Sequence, residues 1–145
     1  MQTNQLIIAL FQRFCWLDEG LQSRLHDAGW PDVSRAQSMV MTNIVIGVVR
    51  PSDIARNLGF SRQAIHTTIG QMVELGIVML DSDPQDKRHK IVSLTPVGEQ
   101  MRHDAQEAMD ALGAQVAGKL GLRRFDALLA TLEKDWGENI QAKKR

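Results

Sequence analysis

The strongest constraint on this chain is a spacing. Ala55 is followed after four residues by Gly59, and Gly59 after six by Ile65. Two short helices that cross steeply after a tight turn need three things in that order. They need a small residue where the backbones nearly touch, a turn residue tolerant of positive φ, and an apolar side chain anchoring the second helix on the first. Ile54 and Leu58 complete the apolar face of the first helix, and Ile69 and Met72 continue that of the second. Alone, Ala-x3-Gly is a common coincidence. Directly after the second helix, however, the β-branched stretches Ile77 to Leu80 and Lys90 to Leu94 flank a polar segment, Asp81 to His89. That pattern predicts an antiparallel hairpin with a long tip.

The flanking sequence is helical. Ile7, Leu10, Phe14, Leu17, Leu21 and Leu25 recur at three- and four-residue steps and predict a helix over Gln5 to Asp27, ended by Gly29-Trp30-Pro31. Ser34 is a cap for a second helix carrying Ala36, Met39, Val40, Ile44 and Val48, which Val45 and Ile46 make nearly apolar all round, as in a buried central helix. Pro51-Ser52-Asp53 opens the third helix, and Ser61 caps the fourth, running to about Leu75-Gly76. Thr95 and Pro96 start a fifth, with Val97, Met101, Ala105, Ala108, Leu112 and Val116 on one stripe. A sixth is expected from Arg123 to about Asn139, with Phe125, Leu128, Leu129, Leu132 and Trp136. The predicted fold is mainly α with a small β-hairpin wing: a winged helix-turn-helix over about 34–94, between helical segments at about 1–30 and 96–145 of a single domain.

Composition excludes several alternatives. Of 145 residues, 43% are apolar and 23% charged, a globular balance, and a single cysteine rules out an internal disulfide or a multi-cysteine zinc module. Apolar runs such as Ile44 to Val49 are far too short to span a bilayer, and Met1 to Gln5 lacks the basic start of an export signal. A cytoplasmic protein with no membrane partner is expected. The four histidines are scattered, with no Ser-His-Asp spacing and no phosphate-cradling glycine loop, so no catalytic residue, cofactor or enzyme activity is expected. His103, Asp104 and Glu107 share one helix face and are read as exposed charge, not as a metal site. Seventeen basic side chains balance seventeen acidic ones. A nucleic-acid partner must therefore be met by local arrangement and not by bulk charge. The basic end Lys143-Lys144-Arg145 is read as a solvated tail.

With Ile65, Ile69 and Met72 inward, a turn of about 100° per residue sets Gln63, His66, Thr67 and Gly70 outward. Gln63 suits a bidentate contact to adenine, and His66 and Thr67 suit base edges or a thymine methyl. Ser52, Ser61 and Arg62, at the helix starts, suit phosphates, as do Lys87 and Lys90 in the hairpin. Asp86 and Arg88 are spaced to pair at its tip. From Arg50 to Val92 six basic residues (Arg50, Arg56, Arg62, Lys87, Arg88, Lys90) face five acidic ones (Asp53, Glu74, Asp81, Asp83, Asp86), so the segment is barely basic.

The segments Ser61-Arg62-Gln63, Leu75-Gly76-Ile77-Val78 and Asp83-Pro84-Gln85-Asp86-Lys87-Arg88, and then Val92-Ser93-Leu94-Thr95-Pro96-Val97-Gly98, resemble the MarR family of bacterial transcriptional regulators. In that family the wing reads roughly Asp-Pro-x-Asp-x-Arg, followed by a strand ending Leu-Thr-x-x-Gly. The resemblance implies a homodimeric, sequence-specific binder of double-stranded DNA, in keeping with terminal helices too apolar for the small central module to cover. It implies a palindromic operator, repression, dimerisation through the terminal helices, and Arg88 entering the minor groove. It also implies release by a small aromatic ligand or by cysteine oxidation. Phe14, Cys15, Trp30 and Met39 are candidates to line such a pocket. Cys15 sits in the first helix, as in the peroxide-sensing branch, but the tyrosines which that branch uses are absent here, and an inert thiol is expected. The competing class is a winged helix whose groove face binds protein instead of DNA.

Overall fold

The computed structural model describes residues 4–140, so Met1 to Thr3 and the basic Lys143 to Arg145 lie outside the described residues. Six helices and one hairpin follow in the order α1 (Gln5–Asp27), α2 (Arg35–Val45), α3 (Pro51–Leu58), α4 (Arg62–Glu74), β1 (Val78–Ser82), β2 (Lys90–Leu94), α5 (Pro96–Leu120) and α6 (Leu122–Glu133). Two compact units succeed one another along the chain, Met1–Met109 and Asp110–Arg145.

In the first unit the core is built where the sequence periodicities converge. Leu25 of α1, Val40 of α2, Ile54 and Ala55 of α3, and Ile65, Ile69 and Met72 of α4 are buried together with Ile77, Val78, Val92 and Met101. Each large side chain sealed this way contributes about 1.5–3 kcal/mol. The strands pair antiparallel, Val78 opposite Leu94 and Ser82 opposite Lys90. On the outer side of β2, Val92 N–H donates to Val49 C=O at 2.8 Å, tying the hairpin to the segment before α3.

α2 departs from its sequence reading. It stops at Val45, because Gly47 turns left-handed (φ 92°) and Val48 N–H returns to Asn43 C=O at 2.9 Å, the helix-ending glycine motif. Val48 packs on the core from outside the helix. Val45 and Ile46 are exposed, Ile46 by 68%, whereas the polar Gln37 and Asn43 are buried. The buried stripe is narrower than the apolar one because it is used for interhelix hydrogen bonds. Gln37 Nε2 donates to Gln71 Oε1 (3.2 Å) and Asn57 Nδ2 to Asn43 Oδ1 (3.1 Å). Gln37 also closes a capping box with Ser34. Asp18 of α1, likewise buried, accepts from Ser38 Oγ at 2.7 Å and Arg35 Nε at 3.3 Å, pinning α1 to α2.

The junction into α5 is a clamp. Thr95 Oγ1 donates to Gly76 C=O and accepts from Gly98 N–H at 3.0 Å, while Thr95 N–H donates to Ile77 C=O at 3.1 Å. Gly98 is buried against Ile77, where a Cβ would stand 1.9 Å from the Ile77 carbonyl oxygen. Along α5, Met101 and Ala108 are buried but Val97 is exposed, off the expected stripe.

In the second unit, α6 ends at Glu133, six residues before the expected Asn139. Asp135 Oδ1 accepts from Gly137 N–H at 2.8 Å, and Trp136 Nε1 folds back to Thr131 C=O at 3.0 Å. This side-chain turn competes with the helix. Leu122, Leu128, Leu129 and Leu132 are exposed.

Candidate nucleic-acid interface

The α3–α4 corner has the form its spacing demands. Gly59 ends α3 in the left-handed conformation (φ 67°), Phe60 N–H returns to Ala55 C=O at 3.0 Å, and Ala55 is buried at the crossing. Ser61 Oγ then caps α4 by accepting from Ala64 N–H at 3.0 Å. Ile65, Thr68, Ile69 and Met72 are buried, with the Thr68 hydroxyl donating to Ala64 C=O at 2.9 Å. The opposite face leaves Arg62, Gln63, His66, Thr67 and Gly70 exposed, as the periodicity requires. Ser61 is exposed and Ser52 half-buried. A cleft of about 230 Å³ between the start of α3, α4 and the wing is lined by Pro51, Ser52, Arg62, His66 and His89.

The wing is braced at two carboxylates. At its base, Asp83 Oδ2 accepts from Arg50 Nη2 (2.7 Å) and Nε (3.1 Å), Oδ1 accepts from Gln85 N–H (2.9 Å), and Asp83 N–H donates to His89 C=O (2.9 Å). The Gln85 amide and then the Arg50 guanidinium hold the Asp83 carboxyl below the usual carboxylate range, and the same bridge raises Arg50. At the tip, Asp86 Oδ1 accepts from Arg88 Nε (3.1 Å) and N–H (3.2 Å), and Oδ2 from Arg88 Nη2 (3.3 Å) and His89 Nδ1 (2.9 Å). Lys87, Arg88 and Lys90 are exposed, the Arg88 side chain by 87%. Asp86 and Arg88 thus meet as their spacing suggests. Arg50 and Asp83 were invisible as a pair, and only their charges hinted at a role.

These bonds bring the Asp86 carboxyl down to about 2, the Arg88 side chain contributing most. A carboxyl lower in the folded than in the unfolded chain stabilises the wing above its ordinary pKa of about 3.9, and that stabilisation fades as pH falls through the folded value. The tip is therefore fixed throughout the neutral range. Carboxyl-carbon NMR is expected to give Asp86 a titration midpoint of about 2, moving upward in Arg88→Ala. A midpoint at the ordinary value in the unaltered protein would show that the bridge does not form.

The other candidates are more dispersed. Phe14 is exposed on α1, while Cys15, Trp30 and Met39 are half-buried. Trp30 Nε1 donates to Asp104 Oδ2 at 2.7 Å, the main cause of a lowered Asp104 carboxyl. The four border neither the cleft at His66 nor a second, of about 450 Å³, at Arg50, Asp53 and Arg56. His103, Asp104 and Glu107 bring ligand atoms within 4.8 Å of one another, but Asp104 already accepts from Trp30 and, at 3.1 Å, from Gln100 Nε2. Among the described residues no helix is long and apolar enough to cross a membrane.

Residues 32–89 match the family model for the MarR family. No curated protein sequence matches the chain significantly. Among solved structures, apo wild-type MarR from E. coli is 21% identical, aligned over 92% of this chain and 98% of that one, with a TM-score of 0.69. CouR from Rhodococcus jostii RHA1, bound to p-coumaroyl-CoA, is 18% identical over 92% of each chain, with a TM-score of 0.67. A MepR variant from S. aureus, bound to an oligodeoxyribonucleotide, is 14% identical over 91% of this chain and 94% of that one, with a TM-score of 0.58. At these identities the likenesses establish the fold, and the family match coincides with the corner, recognition face and wing just described. The match to the MarR family model is confined to residues 32–89, from the segment before α2 to the end of the wing tip.

Proposed function

We propose that this protein is a sequence-specific, double-stranded-DNA-binding transcriptional regulator that binds a palindromic operator as a homodimer and represses from it. The observation that carries the reading is the division of α4. One face is wholly sealed by Ile65, Ile69 and Met72, and the other offers Arg62, Gln63, His66 and Thr67 beside a wing whose exposed arginine is already oriented. In this reading α4 lies in the major groove, Gln63 reads adenine, Ser52, Ser61, Arg62, Lys87 and Lys90 meet phosphates, and Arg88 enters the minor groove. The MepR complex with an oligodeoxyribonucleotide supports the same use of the shared fold.

Dimerisation through the terminal helices is supported by their uncovered apolar side chains. Ile7, Phe11 and Phe14 on α1 are exposed, as are Leu122, Leu128 and Leu132 on α6. The functional division is then a reading head over about 34–94 between dimerisation helices. Release by a small aromatic ligand near Phe14, Cys15, Trp30 and Met39 is supported by CouR, whose structure contains an aromatic acyl-CoA. The role is binding in the cytoplasm and not catalysis.

Selection of bound duplexes from random sequence tests the whole reading. Two inverted half-sites about one helical turn apart are expected, and recovery of no common sequence would overturn it. Because the reading head is barely basic, log affinity for the selected duplex is expected to fall with log salt no more steeply than about −8 for the dimer.

A further inference from the structure

The cleft of about 230 Å³ joins groups from three elements: Pro51 and Ser52 from α3, Arg62 and His66 from α4, and His89 from the wing. His66, expected from the sequence to face base edges, is also part of its wall. His89 has a defined polarity, because its Nδ1 lies 2.9 Å from Asp86 Oδ2. A carboxylate accepts and cannot donate, so Nδ1 carries the hydrogen and Nε2 is the free nitrogen of a ring that lines the cleft. In the neutral ring Nε2 is a lone pair, which repels an anion. In the protonated ring it is a donor, and it joins Arg62 in one pocket.

We propose that this cleft is a proton-linked phosphate subsite: a phosphodiester of the duplex seats between Ser52, Arg62 and His66, and His89 takes up one proton as it binds. The subsite rests on the DNA-binding reading and adds to it a regulation by pH. The charged groups around His89 favour this assignment. Asp86 stays ionised well below neutrality, its carboxyl lying at about 2, so the tautomer is fixed across the range in which histidine ordinarily changes charge. From α4 the cleft receives only Arg62 and His66. The acid of α3, Asp53, is paired with Arg56 at 3.4 Å, and Arg50 is taken by Asp83 at the wing base. Arg88, on the same carboxylate as His89, is directed by Asp86 at the tip. An incoming phosphate adds the negative charge that makes the proton worth holding.

The test is operator binding by fluorescence anisotropy at pH 6.0 and 8.0, at constant ionic strength, for the unaltered protein, His89→Gln and His103→Gln. An imidazole whose proton affinity rises about tenfold on binding makes the complex up to about tenfold tighter in acid. His89→Gln keeps an amide donor for Asp86 but gains no proton. It is expected to lose the gain at pH 6.0, its ratio of affinities between the two pH values falling toward one, whereas His103→Gln, on α5, keeps the ratio of the unaltered protein. In a second arm, inorganic phosphate at pH 6.0 is expected to shift the imidazole nitrogen resonances of His66 and His89 and not those of His26 or His103. Duplex binding with an unchanged pH ratio in His89→Gln overturns the subsite and leaves the DNA reading standing. Phosphate shifts without duplex binding would keep the subsite as one for free phosphate and overturn the DNA reading.

Discussion

Gly98→Ala is expected to be among the most destabilising single-methyl additions in the protein. The new Cβ would lie 1.9 Å from the Ile77 carbonyl oxygen and 2.9 Å from its carbon, both backbone atoms that no rotamer change can move aside. The first turn of α5 must lift from Ile77, and the Thr95 clamp to Gly76, Ile77 and Gly98 goes with it. Overpacking of this kind costs about 1–3 kcal/mol, and each hydrogen bond lost costs roughly another 1. Against this, alanine gains up to about 1 kcal/mol over glycine in a helix interior. The clash wins, and a net loss of about 3 kcal/mol lowers Tm by roughly 10 °C in a chain of this size. Gly70→Ala supplies the opposite sign, since its Cβ meets nothing within 4 Å and α4 gains the full helix preference. Thermal melts of the two variants check both signs. A Gly98→Ala protein as stable as the unaltered one would show that α5 does not approach the Ile77 backbone this closely.

Gly98 also shows what could be read in advance and what could not. The Leu94-Thr95-x-x-Gly98 pattern was legible as a motif because its residues are adjacent, yet its cause, the Ile77 carbonyl, lies 21 residues upstream. The helix starts at Ser34, Ser61 and Pro96 and the turn at Gly59 were legible for the same local reason. So was the inward face of α4, where three apolar residues and a helical period admit one orientation. The ends of α2 and α6 were not, because each is decided by a competing turn that periodicity does not encode: Gly47 in one, the Asp135 side chain in the other. Least legible were the polar braces. Asp18 with Ser38, Gln37 with Gln71 and Arg50 with Asp83 are 20, 34 and 33 residues apart, and polar residues on a sequence carry no period that reports their partners.

Arg88→Ala is expected to weaken operator binding by about 10- to 100-fold while leaving the melting temperature nearly unchanged. The two halves follow from the same geometry. The Arg88 side chain is 87% exposed and its ion pair with Asp86 is at the surface, where such pairs contribute about 0–1 kcal/mol. Removing it therefore costs the fold little. On the duplex the same side chain would enter a minor groove of strong negative potential, where loss of a specific arginine contact costs about 1–3 kcal/mol. In that reading Asp86 would bring a negative charge near the phosphates, so its use would lie in direction. It grips Nε, Nη2 and the backbone N–H of one arginine, so the planar fork is aimed before DNA arrives. Arg88→Lys is accordingly expected to recover only part of the loss, since an ammonium keeps the charge without the fork. Asp86→Asn, which keeps an acceptor but no charge, should fall between the two arginine variants in affinity. Anisotropy titrations of all three on the selected duplex, with melts alongside, check the ranking. If Arg88→Ala bound that duplex as tightly as the unaltered protein, the wing would have no part in reading DNA, and a winged helix that docks on protein would become the better account of this surface.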